Sequence, residues 1–260
     1  MSAPILETQE LCKSFGAVAA ARNLNVRIQA GEVVGVIGSN SAGKTTFINM
    51  VTGWLPPSSG EIRFAGASVL GKAPRQITRL GMARSFQVAQ LFPKLSVLDN
   101  LLVAVVAAEG PRPSFLGLAR SPGRIARADA ILRAFRVERF RDAPVSAVPQ
   151  GARKLVDIAM ALVTEPRVLL LDEPTSGVSA EEKHPLMDTV MEVVRSRGVT
   201  VLFVEHDMEI VTRYVSRVLA FASGEIIADG APERVMADPK VQELVIGHRP
   251  AGRRAAGGRP

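Results

Sequence analysis

Gly38 to Thr45, reading GSNSAGKT, constrains this chain more than any other stretch. Its spacing, a glycine, four residues, then Gly43, Lys44 and Thr45, is that of a phosphate-binding loop. Ahead of it, Glu32 to Ile37 carries the run VVGVI and predicts a buried strand; behind it, Thr46 to Val51 predicts the first turns of a helix. Glycines let backbone wrap closely around phosphates, and a helix start offers unpaired N–H groups and a positive dipole end. In such a loop Lys44 reaches the β and γ phosphates and the Thr45 hydroxyl coordinates Mg²⁺. Gly38, Ser39, Asn40, Ser41, Ala42, Gly43, Lys44, Thr45 and Thr46 are therefore expected to cradle a nucleoside triphosphate.

At 260 residues, 47% of them hydrophobic, the chain can bury a full core as one large domain, with room for a subdomain. The opening MSAPILETQE has no basic region followed by an apolar one. The longest aliphatic run, Leu101 to Ala108, falls far short of the ~20 residues that span a bilayer, so a soluble chain is expected. The single cysteine, Cys12, excludes an internal disulfide and fits a reducing compartment. Net charge is +7, and its excess is local: Pro111 to Arg141 holds eight arginines against Asp129 and Glu138. A patch of this kind suits nucleic acid, an anionic membrane surface, or merely a solvated helix face. Charge alone does not choose among them.

Ile5 to Ser14 and Asn23 to Gln29 alternate as strands, and Glu61 to Phe64 follows as another after the turn Pro56 to Gly60. From Ser96 the period becomes helical: Leu98, Leu101, Leu102 and Val105 share a face, and Ile125, Ile131, Leu132 and Phe135 predict a second helix. Gly110 to Gly123, with three prolines, is expected to be the loop between them. Gly151 to Val163 and Glu181 to Arg197 read as helices, Val168 to Leu171 and Val199 to Val204 as fully apolar strands. Buried strands alternating with helices indicate an α/β fold around a mainly parallel sheet. The last residues, AGRRAAGGRP, lack large apolar groups and are expected to be a disordered basic tail.

The strand Val168 to Leu171 ends in Asp172 and Glu173, at the edge where parallel sheets gather ligands. Asp172 would join the Mg²⁺ shell, and Glu173 would orient the attacking water toward the γ phosphate. Three further elements fall in order: Gln87 after the strand-like Met82 to Phe86, the glycine turn Val148-Pro149-Gln150-Gly151-Ala152, and His206 after Val199 to Val204. A phosphate-loop enzyme with such a glutamine, glycine turn and histidine resembles the nucleotide-binding domain of the ABC ATPases. The resemblance covers about Ile5 to Gly247. It implies a P-loop NTPase of ABC type: a mainly parallel core, an antiparallel β subdomain, and a helical subdomain inserted at about residues 88–150, followed by a tail at 248–260.

The resemblance also implies roles. Phe15 matches the aromatic that stacks on adenine, although tyrosine is usual there. Gln87 looks like the residue that touches Mg²⁺ and senses the membrane partner, and His206 like the switch histidine at the γ phosphate. Two such domains sandwich two ATP molecules head to tail, so Val148 to Ala152 would contact the ATP held by the partner. GMARSFQVAQLFPKLSVLDNLLVA from Gly81, DEPTSGVSAEE from Asp172 and GEIIADGAPERVMADPKVQELVIG from Gly224 look like the ATP-binding subunits of branched-chain amino acid uptake systems. Relatives in that branch also import other amino acids, amides and small aromatic acids. The expected assembly has a second ATPase subunit, two integral membrane permease subunits and a periplasmic or extracellular substrate-binding protein. The chain would sit peripherally on the inner face of the cell membrane, with no nucleic acid bound. Alternatives are an ABC ATPase acting on nucleic acid, supported only by the basic patch, and the ATPase of an exporter.

Three positions depart from the family pattern. Ser41 stands where the phosphate loop usually has a second glycine, Pro149 where the glycine turn usually has serine, and Ser179 where an aspartate usually follows the catalytic glutamate. Proline has neither a hydroxyl nor an N–H to offer the partner's γ phosphate. Losing one preorganised donor costs on the order of 3 kcal/mol. That cost falls on the partner's ATP, so two outcomes are open: the working unit pairs this chain with a paralogous ATPase, or the Gly151 N–H supplies the contact and the substitution is tolerated.

Overall fold

The computed structural model describes residues 3–85, 91–110 and 120–247. Its strands are β1 (Leu6–Phe15), β2 (Val18–Ile28), β3 (Val33–Gly38), β4 (Ser59–Phe64), β5 (Ala67–Ser68), β6 (Met82–Ser85), β7 (Val168–Asp172), β8 (Thr200–Val204), β9 (Arg217–Ala222) and β10 (Glu225–Gly230). Its principal helices are α1 (Lys44–Val51), α2 (Pro74–Leu80), α3 (Val97–Glu109), α4 (Pro122–Ala134), α5 (Gln150–Leu162), α6 (Ala180–Ser196), α7 (Met208–Tyr214) and α8 (Pro232–Met236). Two sheets result, an antiparallel one in the order β2-β1-β4-β5 and a six-stranded one in the order β10-β9-β3-β8-β7-β6. In the larger sheet β3, β6, β7, β8 and β9 run parallel and β10 pairs antiparallel at the edge.

Alternation within the central strands divides the core in two. From β7 and β8, Leu169, Leu171, Val201 and Phe203 face one cluster, shared with Leu101, Phe135, Leu162 and Leu186 of the helical side. Val168, Leu170, Leu202 and Val204 face the other, with α1 and the antiparallel sheet behind them. Strands covered on both faces need apolar residues at every position, which is why VVGVIG, VLLL and TVLFV carry no polar alternation. Across the second cluster Phe47 of α1 meets Phe221 of β9 at 5.5 Å between ring centroids.

The chain leaves the sheet after β6 and returns at β7 through α3, α4 and α5. Ser96 caps α3, its Oγ accepting from the Asp99 N–H at 3.0 Å. The expected loop at Gly110 to Gly123 is shorter at its end, because Pro122 suits the first position of a helix and α4 begins there. The expected strand at Glu61 starts earlier, at Ser59 inside the Pro56–Gly60 turn, where Ser59 pairs with Cys12. The β9–β10 hairpin closes on Ser223 and Gly224, at φ 49° and 82°, the left-handed pair that a two-residue turn requires.

The arginine-rich stretch is largely neutralised. Arg120 pairs with Asp99, Arg124 with Glu109, Arg127 with Glu165, Arg136 with Glu192 and Arg141 with Asp129. Four of those five carboxylates lie outside Pro111 to Arg141, so counting charge along that window misses them.

Candidate functional site

Strand order sets the site. Because β3, β8, β7 and β6 are parallel neighbours, the loops after them emerge side by side along one edge of the sheet. The first carries the phosphate loop, the second Glu205 and His206, the third Asp172 and Glu173. Gln87, expected after the fourth, lies outside the described residues.

In the phosphate loop Ser39, Asn40, Ser41 and Thr45 are exposed, Thr46 is half-buried, and Ala42, Gly43 and Lys44 are buried. Gly43 has φ +103°, and a Cβ there would lie 2.7 Å from the Ala20 carbonyl oxygen, so neither backbone nor space admits another residue. Ser41, the departure from the glycine pattern, still adopts a left-handed φ of 66°. Gly43 precedes α1 without any side-chain cap, and no acidic residue occupies the first turn, so that turn's N–H groups face outward unmet by the helix itself. Lys44, 6% exposed, curls back to donate to the carbonyls of Gly38 at 2.7 Å and Ser39 at 2.9 Å. Burial pushes its pKa below the usual lysine value, while Glu173 and Asp172 pull it back up.

Beside the loop is a cavity of about 390 Å³, walled by Val18, Ala20, Arg22, Gly43, Thr46 and Gly224 among others. Phe15 closes the β1–β2 hairpin opposite Val18 and is 52% exposed, with the Lys13 ammonium 5.2 Å from its ring centroid. An aromatic ring left this open, on the strand residue paired with the cavity-lining Val18, is available for stacking.

At the end of β7, Asp172 accepts from Arg84 at 2.6 Å, and the same guanidinium reaches Asn49 Oδ1 of α1 at 2.6 Å. Glu173 sits at φ +48°, a conformation glutamate rarely adopts. Its N–H donates to the Val204 carbonyl at 3.0 Å, and its Oε1 lies 2.9 Å from His206 Nε2. Behind it, Lys154 of α5 is 2% exposed, with Nζ 3.4 Å from the Glu173 carbonyl oxygen. Burial lowers the Lys154 pKa, and the negative charges of Asp157, Glu173, Glu205 and Asp172 oppose that. The constellation offers a cation at a phosphate loop, a carboxylate–imidazole pair and a second carboxylate within one strand edge.

Of the glycine turn, Val148 and Gly151 are buried, Ala152 is half-buried, and Pro149 and Gln150 are exposed. Pro149 is the N-cap of α5, and no side chain caps it. The Gln150 Oε1 accepts from Arg153 at 2.8 Å. Ser179, at the N-cap of α6, donates to Glu182 at 3.0 Å. Within one chain this turn lies on the surface, with two outward residues and an uncapped helix start.

Sequence reasoning passed over Arg84, Lys154 and Glu205. Lys154 left a signal, a lysine placed between Gly151 and Ile158 on the buried stripe of α5. Glu205 left one too, as an acid directly after the all-apolar TVLFV. Arg84 left none.

Similarity to known proteins agrees with this geometry. A family model described as ABC transporter matches residues 21–176. The probable branched-chain amino acid transport ATP-binding protein LivG of Archaeoglobus fulgidus is 34% identical over 246 residues, spanning 94% of this chain and 95% of that protein. The high-affinity branched-chain amino acid transport ATP-binding protein BraF of Pseudomonas aeruginosa is 33% identical over 255 residues, spanning 95% and 99%. Among solved structures, the ADP conformation of an ATP-binding cassette of an ABC transporter superposes with a TM-score of 0.85 at 30% identity, covering 95% of this chain and 100% of that one. Nucleotide binding thus follows from the fold, the loop and the kinship together, and the chain belongs to the ABC transporter family as one of its ATP-hydrolysing cassettes.

Proposed function

We propose that this cassette powers import of branched-chain amino acids, or of a related small amino acid, amide or aromatic acid, through separate membrane subunits. Its relatives, named as branched-chain amino acid transport ATP-binding proteins, support the substrate class. The observation that carries the hydrolytic part is the Glu173–His206 contact, facing the phosphate loop across adjacent strand ends.

In this reading the α1 N-terminus and Lys44 hold the triphosphate, Lys44 exchanging its two loop carbonyls for phosphate oxygens. Phe15 stacks on the base. Glu173 positions water for attack on the γ phosphate, and His206 holds both that carboxylate and the phosphate edge. The residues suit Mg²⁺: the exposed Thr45 hydroxyl and Asp172 are hard oxygen donors, and Gln87 would add a third. No cluster of three metal-binding side chains occurs among the described residues. A few protein oxygens completed by water and phosphate is the usual Mg²⁺ arrangement. The ion would neutralise charge developing on the β and γ oxygens.

The assembly follows from the same reading. The outward Pro149 and the uncapped start of α5 would meet the ATP of a second, paralogous ATPase subunit, with two permease subunits above and a substrate-binding protein outside the cell. A cavity of about 540 Å³ between α2 and α3, lined by Arg75, Thr78, Arg79, Ala104 and Ala107 among others, suits a helix of the permease. Among the described residues no helix is long and apolar enough to cross a membrane, so anchoring falls to those partners.

The test is reconstitution. Co-expressed with permease subunits, a paralogous cassette and binding protein from one uptake system, this chain should sediment with membranes and support ATP-driven leucine uptake into vesicles. Salt-sensitive DNA binding with no membrane association would favour the nucleic-acid alternative instead.

A further inference from the structure

Glu205 is one of the most deeply buried acids among the described residues, at 3% exposure, and none of the roles above uses it. Its backbone N–H donates to the Val36 carbonyl of β3 at 3.3 Å, anchoring it to the strand that feeds the phosphate loop. Its carboxylate spans two neighbouring loops. One oxygen accepts from the Thr175 N–H at 3.1 Å and from the Thr175 hydroxyl at 2.5 Å. The other accepts from the N–H of His206 at 3.0 Å and that of Asp207 at 3.4 Å. Thr175 is two residues past Glu173, so both arms end within two residues of the side chains that meet at 2.9 Å.

We propose that Glu205 is a positioning residue of the hydrolytic site: its buried carboxylate ties the loop carrying Glu173 to the loop carrying His206 and so fixes the contact between these two side chains. Backbone conformation gives the reason such a tie is needed. Glu173 sits at φ +48°, which persists only where the surroundings hold it. Its own N–H is held by Val204 and its carbonyl faces Lys154 Nζ at 3.4 Å, while Thr175 and Glu205 hold the segment just beyond. Lys154 also draws on the Glu205 charge from the α5 side, so the anion does not stand alone in the interior. A glutamine at this position keeps an acceptor for one arm and turns an NH₂ against the donors of the other.

This inference rests on the assignment of Glu173 and His206 as the hydrolytic pair, and its test separates the two. Glu205→Gln is compared with the unaltered chain by fluorescent nucleotide titration, phosphate release and the imidazole NMR signals of the three histidines, His184, His206 and His248. Expected are a nucleotide Kd within about threefold, turnover reduced at least tenfold, and a displaced His206 signal with His184 in place. The NMR readout needs no turnover, so it reports on the tie even if Glu173→Gln were to retain hydrolysis and remove Glu173 from its role. An unmoved His206 signal would overturn the proposal, as would a loss of nucleotide binding in step with turnover. Should Glu205→Gln fail to fold, Thr175→Val removes only the hydroxyl contact. It is then expected to displace the His206 signal and slow turnover about threefold, and no change in either would be equally decisive.

Discussion

The Glu173 carboxylate and the His206 imidazole meet at 2.9 Å, although 33 positions separate them in the chain. The contact exists because β7 and β8 are parallel neighbours and each ends where its loop can bend toward the other. Replacing Glu173 with glutamine keeps the size and the hydrogen-bonding reach but removes the basic oxygen. Turnover is expected to fall at least a thousandfold while nucleotide affinity stays within about threefold. Phosphate release paired with a fluorescent nucleotide titration decides the matter, and retained hydrolysis would strip Glu173 of its role.

Gly43 and Ser41 share the loop yet should respond in opposite directions. A methyl group at Gly43 would collide with the Ala20 carbonyl at 2.7 Å, so Gly43→Ala is expected to abolish nucleotide binding. Ser41 is held at φ 66° with nothing in its side chain requiring it, so Ser41→Gly should relieve strain. After the loss to a freer unfolded chain, a net gain of about 0.5–1 kcal/mol is expected, a rise in Tm of roughly 1–4 °C. A lower Tm for Ser41→Gly would contradict the reading.

Arg84 bridges Asp172 and Asn49 from a side chain only 9% exposed. Arg84→Met would leave the Asp172 charge in the interior without its partner, at a cost of about 3 kcal/mol. Arg84→Met with Asp172→Asn removes the orphaned charge as well and should recover more than half of that loss. Chemical denaturation of the two variants measures it, and a double variant less stable than the single one would refute the pairing as the cause.

Asp207 caps α7 and receives Lys183 at 2.7 Å; that hydrogen bond, more than any other influence, holds its carboxyl below the ordinary 3.8. With the folded value depressed, the unfolded chain binds more protons in acid, so the contribution is present above about pH 3.8 and is lost as pH falls through the folded value. The pair is about a third exposed, so its worth is at most about 1 kcal/mol. Asp207→Asn keeps a capping oxygen but not the charge. The unaltered chain should keep a constant advantage over it from pH 7 to 5 and lose that advantage below 3.8. An advantage that grew in acid would have the wrong sign.

Much of this fold was legible because its signals are local. GSNSAGKT sits within one turn of chain, and β3, β7 and β8 declare themselves as unbroken apolar runs because both their faces are covered. The buried charges were not legible for the opposite reason. Arg84 matters only because β6 lies beside β7, and Glu205 only because Thr175 comes to it from a different loop. The balance of the arginines was hidden in the same way. Their local excess is real, but Asp99, Glu109, Glu165 and Glu192 arrive from elsewhere to balance it.

Strand β3 has a consequence for how the protein is made. Its neighbours in the sheet are β8 and β9, Thr200–Val204 and Arg217–Ala222, both far downstream of it in the chain. A ribosome therefore delivers the phosphate loop well before its supporting strands. Until then the nascent chain carries a bare apolar strand with two unmet edges, and premature termination before Thr200 would leave it permanently so. Synthesis of this cassette is expected to depend on chaperone cover of β3 until β8 and β9 emerge, with the loop acquiring its final shape only then.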